Sequence, residues 1–209
     1  MMLPLRMALS IAVAAGAALL GQIQPGQLPP KQTDTSSSSQ PTPEPLTVGE
    51  KYHLALKRSL DPIEIFRLSL GAGISQARNF PEEWGQGWDA FGVRLASGLG
   101  EHLVKEQLEF GVWAIDHEDP RHRRSGLHGF WPRTRWAVIH TFVARRDGGG
   151  NMPAYSRFIG DYGAGFVSRE WYPTRFHNFQ QGFDAGSAVL GIDVGMSVLR
   201  EFIPSRIIQ

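Results

Sequence analysis

The sequence predicts an all-α protein, a bundle of five or six helices built from a duplicated helical hairpin with pseudo-twofold symmetry. One observation is an internal repeat. Gly71-Ala72-Gly73 returns as Gly163-Ala164-Gly165, and Phe80-Pro81 as Tyr172-Pro173. Further on, Gly87-Trp88-Asp89-Ala90 returns as Gly182-Phe183-Asp184-Ala185, and Lys105-Glu106 as Arg200-Glu201. A second observation is helical periodicity, with apolar residues three and four apart through both copies. A third is the placement of cap-forming residues and prolines at the ends of those periodic stretches.

The elements follow in chain order. Residues 1–21 read as a signal peptide, with Arg6 ahead of the uncharged run Met7 to Leu20. Residues 22–45 are rich in Pro, Ser, Gln and Thr and read as a disordered linker, unable to bury enough apolar surface to offset chain entropy. The helical domain is assigned to 46–209, with repeat 1 at about 59–115, a basic connector at 117–150 and repeat 2 at about 152–204.

Thr47-Val48-Gly49-Glu50 fits a capping box and opens a short helix. Asp61-Pro62-Ile63-Glu64 reads as a second capping box that opens another helix, with Asp61 at the N-cap, Pro62 at the first helical position and Glu64 at the third. Its apolar stripe is Ile63, Phe66, Leu70, Ile74 and Ala77, and Pro81 stops it. The next helix carries Trp84, Trp88, Phe91, Leu95, Leu99 and Leu103 at the same spacing and reaches about Val112 or Ile115. Residues 133–146 read as a helix, with a strand as the competing assignment because Val138, Ile139, Thr141, Phe142 and Val143 favour strands. Asp147-Gly148-Gly149-Gly150 ends that segment. Pro153 is expected at the first position of the next helix and Pro173 at its end. Asn178 is expected to cap the last helix, and Pro204 to close it.

Composition narrows the chemistry. The chain of 209 residues carries a net charge of +1, which argues neither for nor against a nucleic-acid partner. It has no cysteine, which excludes disulfides, thiolate metal sites, a cysteine nucleophile and a lipid-attachment cysteine. Neither a Gly-x-Ser-x-Gly elbow nor a phosphate-binding loop occurs.

Four constellations stand out. Gly92, Ala96 and Gly100, matched by Ser187, Gly191 and Gly195, repeat every four residues, as expected of a seam where helices approach closely. Charges at Arg157, Asp161, Asp184 and Asp193 interrupt the last two helices and argue against a bilayer span. The duplicated acids Asp89 and Asp184 suit ion pairs with Arg67 or Arg78 and with Arg157 or Arg169. Alternatively, they share a proton or a divalent cation. His117, Glu118, His122 and His128 are candidate metal ligands for a hydrolase or metal-dependent enzyme, although Arg121 stands where the helical zinc signature needs a second histidine.

The connector is the fourth and most suggestive. It has seven arginines against three acids, with aromatics interleaved. Arg121, Arg123, Arg124, Trp131, Arg133, Arg135, Trp136, Arg145 and Arg146 form the expected anion- and membrane-binding set, since arginine forks suit phosphate and Trp suits a membrane–water interface.

His117-x-Asp119-Pro120-Arg121, Tyr172-Pro173 and Leu199-Arg200-Glu201-Phe202-x-Pro204 resemble a group of exported bacterial helical proteins, over roughly Tyr52 to Pro204. The resemblance implies export and a single structural unit; it implies no activity, ligand or catalytic residue. The expectation is an exported, non-enzymatic protein of the periplasm or envelope surface. It has no cofactor and no nucleic-acid partner. It binds anionic lipid or lipopolysaccharide phosphate, or an envelope protein. A purely structural, partner-binding bundle is the remaining alternative.

Overall fold

The computed structural model describes residues 44–203. The expected signal peptide, most of the linker and Pro204 lie outside them. Six helices and a small antiparallel sheet make up the described domain: α1 (Val48–Ser59), α2 (Pro62–Ala77), α3 (Trp88–Asp116), β1 (Glu118–Asp119), α4 (Phe130–Phe142), β2 (Val143–Arg146), β3 (Asn151–Pro153), α5 (Tyr155–Ser168) and α6 (Phe179–Phe202). Single 3-10 turns at Glu82–Trp84, Arg169–Trp171 and Thr174–Phe176 link the longer helices.

The caps act largely as their chemistry requires. Thr47 and Glu50 form the reciprocal capping box of α1. The Thr47 amide and hydroxyl both donate to Glu50 Oε2 and hold that carboxyl below its ordinary value. Asp61 caps α2 through the Ile63 amide, and Asn178 caps α6 through that of Gln181. Glu64 does not reach back to close a second box; it pairs instead with Arg67 and Arg200.

The connector divides between the competing assignments. Val138, Ile139, Thr141 and Phe142, which favour a strand, are helical, and the helix expected to run to Arg146 gives way to a strand at Val143. Phe130–Phe142 is helical, and the β-branched and arginine-rich end, Val143–Arg146, turns into a strand. That strand pairs on one side with Glu118–Asp119 and on the other with Asn151–Pro153, across the predicted glycine turn. Pro153 therefore ends a strand opposite Val143, and the helix begins two residues later.

Packing runs α1 and α2 against α3, α3 against α5, and α5 against α6, with α4 beside α6. Two close approaches fix it. A Cβ at Gly165 would lie 2.5 Å from the Gly186 amide nitrogen, and one at Gly186 would lie 2.8 Å from Tyr162 Cα. Only glycine lets these backbones meet. At Gly160 a Cβ would lie 2.6 Å from Glu109 Cγ. The expected seam is elsewhere and its glycines are mostly open. A Cβ at Gly92, Gly191 or Gly195 would meet nothing within 4 Å, and one at Gly100 would meet only the Trp171 ring, at 3.5 Å. Four-residue spacing puts these small residues on one face of each helix, but Gly92, Ala96, Gly191 and Gly195 are exposed there. Gly100 and Ser187 are half-buried, Ser187 against the Tyr162 hydroxyl at 3.2 Å.

The apolar stripe of α2 is turned outward, whereas Phe91, Leu95 and Leu99 of the α3 stripe are half-buried. Ile63, Phe66, Leu70 and Ile74 are exposed, Phe66 at 70%, and so are Trp88, Leu103, Phe183 and Leu199. The buried apolar set is mostly alanine, with Trp113, Met152 and Phe176. Buried polar and charged residues outnumber it, among them Lys51, Arg94, Lys105, Glu106, Glu109 and Asp161.

Candidate functional site

The polar interior is centred on Lys105, midway along α3. Its ammonium lies 2.7 Å from Asp161 Oδ1 of α5, 2.6 Å from Asp193 Oδ2 of α6 and 3.6 Å from Glu109 Oε1 one turn on. Asp161 is 0% exposed, and its Oδ2 accepts no hydrogen bond from the described residues. Two arginines complete the charge balance. Arg58 of α1 approaches Glu109 at 3.7 Å, and Arg157 of α5 approaches Asp193 at 3.8 Å. Three cations thus face three carboxylates, the arrangement that burial of charge demands. Glu106, also buried, leaves Oε2 without a donor among the described residues.

Each helix contributes to the network from a face that the apolar pattern does not use. Lys105 and Glu109 are one turn apart and so point the same way. The close glycine contacts bring α5 within reach of α3, because a side chain at Gly160 would displace Glu109 itself. A small polar void of about 50 Å³ extends the network to Glu64, Arg67, His102 and Arg200. Glu109, Asp161 and Asp193 offer oxygens within 4.8 Å of one another, spacing suited to a cation. The Lys105 ammonium occupies that role. The geometry supports charge pairing that cross-links α3, α5 and α6.

The expected metal loop is dispersed. Glu118, buried in β1, accepts hydrogen bonds from the Ser156 hydroxyl at 2.6 Å and the Ser156 amide at 3.3 Å. Burial raises its pKa, and the Ser156 bonds offset part of the rise. His117 is the left-handed residue ending α3, and His122 and His128 are exposed. These four do not form a cation-binding group among the described residues. The duplicated acids are likewise apart from the network. Asp89 and Asp184 are both exposed, and Asp184 accepts from Gln180 at 2.8 Å. Neither has an ion pair among the described residues; Arg67, Arg157 and Arg169 pair with Glu64, Asp193 and Glu101.

The arginine set divides in two. Arg121 and Arg123 are held by Asp119, Arg124 by the Ile203 carbonyl, and Arg133 by Glu201. Arg135, Arg145 and Arg146 have no ion pair among the described residues, and Arg135 and Arg146 are exposed. On the outer side of α4, Trp131 (77% exposed), Arg135 and Ile139 stand one turn apart. Trp136 stacks on His140 with centroids 3.9 Å apart.

In the sequence Lys105 stands out only as part of a repeat, and Arg157, Asp161 and Asp193 only as interruptions. The signal they do carry is that these charges, and Glu109, fall inside otherwise apolar helices. No family model, curated protein or solved structure matches the chain.

Proposed function

We propose that this is an exported, non-enzymatic envelope protein that seats its helical domain in a membrane, with the apolar exterior toward lipid and the Lys105 network inside. The observation that carries the reading is α6. It is long and apolar enough to cross a bilayer, yet only 11% of its most apolar 18-residue stretch is buried. At 1.5 Å per residue its 24 residues extend roughly 36 Å, against about 30 Å for a hydrocarbon core. A core helix of a water-soluble bundle would bury that surface. The outward stripe of α2, with Trp88, Val93 and Leu103 of α3, extends the same apolar exterior.

Charge no longer opposes this reading. Asp161 and Asp193 face Lys105, Arg157 faces Asp193, and Asp184 lies in the second turn of α6, near its end. Intramembrane charges that pair with one another inside a bundle are the tolerated kind. Trp131 and Arg135 on α4 suit the headgroup level, and Arg135 and Arg146 are cations free, among the described residues, to meet anionic lipid or lipopolysaccharide phosphate.

A duplicated hairpin belongs to the same proposal. Helix, 3-10 turn, helix recurs in Pro62–Asp116 and Tyr155–Phe202, with Ala72 and its counterpart Ala164 both buried. The repeat supports this through its order of elements, not through the seam.

The test is flotation of the purified full chain with neutral and anionic vesicles, followed by an alkaline carbonate wash. The parent is expected to stay with the vesicles after the wash, with higher initial recovery on anionic vesicles at low salt. Arg135→Glu with Arg146→Glu removes the charge preference, and Phe183→Lys with Leu199→Lys, both exposed on α6, removes wash resistance. Wash resistance unchanged by the two lysines overturns the reading. So does a parent that stays monodisperse in water and ignores vesicles.

A further inference from the structure

A cavity of about 490 Å³ lies between α2, α3 and α6, with Arg169 and Tyr172 of the following turns in its wall. That is within the range of small-molecule sites. Leu68, Ala72, Val189 and Ile192 line it with apolar surface. Two buried arginines give it a cationic wall.

Arg94 donates to the carbonyls of Phe80, Pro81 and Gly85 at 2.9, 3.0 and 3.0 Å and to Gln76 Oε1 at 2.6 Å. All are neutral acceptors, and Arg94 has no ion pair among the described residues. Arg169 is 9% exposed, and its Nε has no hydrogen-bond acceptor among the described residues. Its Nη2 donates to Ser168 Oγ at 3.1 Å, and its ion pair with Glu101 is long, at 4.0 Å.

Aromatic rings connect the two cations. Arg94 lies 5.9 Å from the Trp84 ring, Trp84 and Tyr172 are 4.7 Å apart, and Arg169 sits 3.9 Å over Tyr172. Glu101, Asp184 and Asp193 also border the cavity, but Asp193 is already matched by Lys105 and Arg157. Arg94 thus has no carboxylate partner among the described residues and Arg169 only the distant Glu101. Buried cations so weakly matched favour an anion that can meet them. An apolar wall beside those cations selects an anion with an apolar body.

We infer that this cavity binds a single-chain anionic amphiphile, its oxyanion head at Arg169 in the field of Arg94 and its chain along Leu68, Ala72, Val189 and Ile192. Carboxylate and phosphate heads share the required chemistry, since a guanidinium fork accepts either. The inference is independent of membrane seating: it concerns the space between helices, whereas seating concerns their outer faces.

The test is titration of the delipidated full chain, in a neutral detergent, with the fluorescent fatty acid cis-parinaric acid. One saturable site is expected. Palmitate and lysophosphatidate are the competing arms that identify the head, and monopalmitoylglycerol, with the same chain and a neutral head, should compete about tenfold less well. Arg169→Gln should weaken binding by a similar factor, and Ala188→Trp, which fills the cavity from α6, should abolish it. Equal competition by the neutral lipid overturns the inference. So does an Ala188→Trp protein with parental helix content that still binds like the parent. If Arg169→Gln fails to fold, the head-group series and Ala188→Trp still decide. Loss of amphiphile binding with vesicle retention intact removes this inference alone.

Discussion

Lys105→Met removes the ammonium that three carboxylates share while keeping most of the side-chain volume. At an effective dielectric of about 20, the contacts at 2.7 and 2.6 Å each represent roughly 6 kcal/mol of gross attraction. Most of that offsets the desolvation of four buried charges and the mutual repulsion of the acids. What a variant reports is the penalty of leaving Asp161 and Asp193 without their cation. For a buried pair broken on one side this is about 3–5 kcal/mol. Arg157 still reaches Asp193 at 3.8 Å, which favours the lower half of the range; Asp161 has no second cation at ion-pair distance among the described residues. Equilibrium unfolding followed by helical circular dichroism measures the loss. Adding Asp161→Asn to Lys105→Met should return part of it, with a coupling of roughly 0.5–3 kcal/mol between the two sites. A loss under about 1 kcal/mol, or strictly additive variants, would mean that solvent screens the network and the interior is not a sealed charge store.

Three further predictions use the same assay. Gly191→Ala and Gly195→Ala should each stabilise by roughly 0.5–1 kcal/mol, because nothing lies near the added methyl and helix propensity alone decides. Gly165→Ala and Gly186→Ala should destabilise by about 1–3 kcal/mol through backbone overlap. Glu118, whose folded pKa is raised above 4.5 by burial, contributes stability that is fully present below its unfolded value and is lost as pH rises through the folded one. Glu118→Gln, which keeps an acceptor for Ser156, should flatten the fall in stability across the window that opens at that pH; an unchanged pH profile would show that Glu118 does not drive it.

Local chemistry made the helices legible. Thr47, Asp61 and Asn178 announce starts that the structure reproduces, because a cap needs only a side-chain oxygen and the next few amides. The glycine run at 148–150 announces the turn between β2 and β3 for a similarly local reason. Direction was not legible. Ile63, Phe66, Leu70 and Ile74 share a face by spacing, but spacing is silent on whether that face meets protein or something else. Gly191 and Gly195 carry the same ambiguity. The missing term is tertiary: Lys105, Asp161 and Asp193 come from three separated helices, and their mutual neutralisation becomes visible only when the helices are placed together. Strand pairing misled at Pro153 for a related reason, since its partner Val143 lies ten residues earlier in the chain.

The most direct measurement of whether lipid covers α6 exploits the absence of cysteine, which makes every introduced thiol a unique label site. Spin labels at Phe183, Gly195 and Leu199 of the vesicle-bound chain, with one at exposed Arg146 as a reference, report their accessibility to oxygen and to a water-soluble nickel chelate. Lipid-facing positions on α6 should be open to oxygen and shielded from the chelate, with Arg146 showing the reverse. Chelate access on α6 equal to that at Arg146, or shielding from both reagents as a protein partner would produce, would contradict membrane seating.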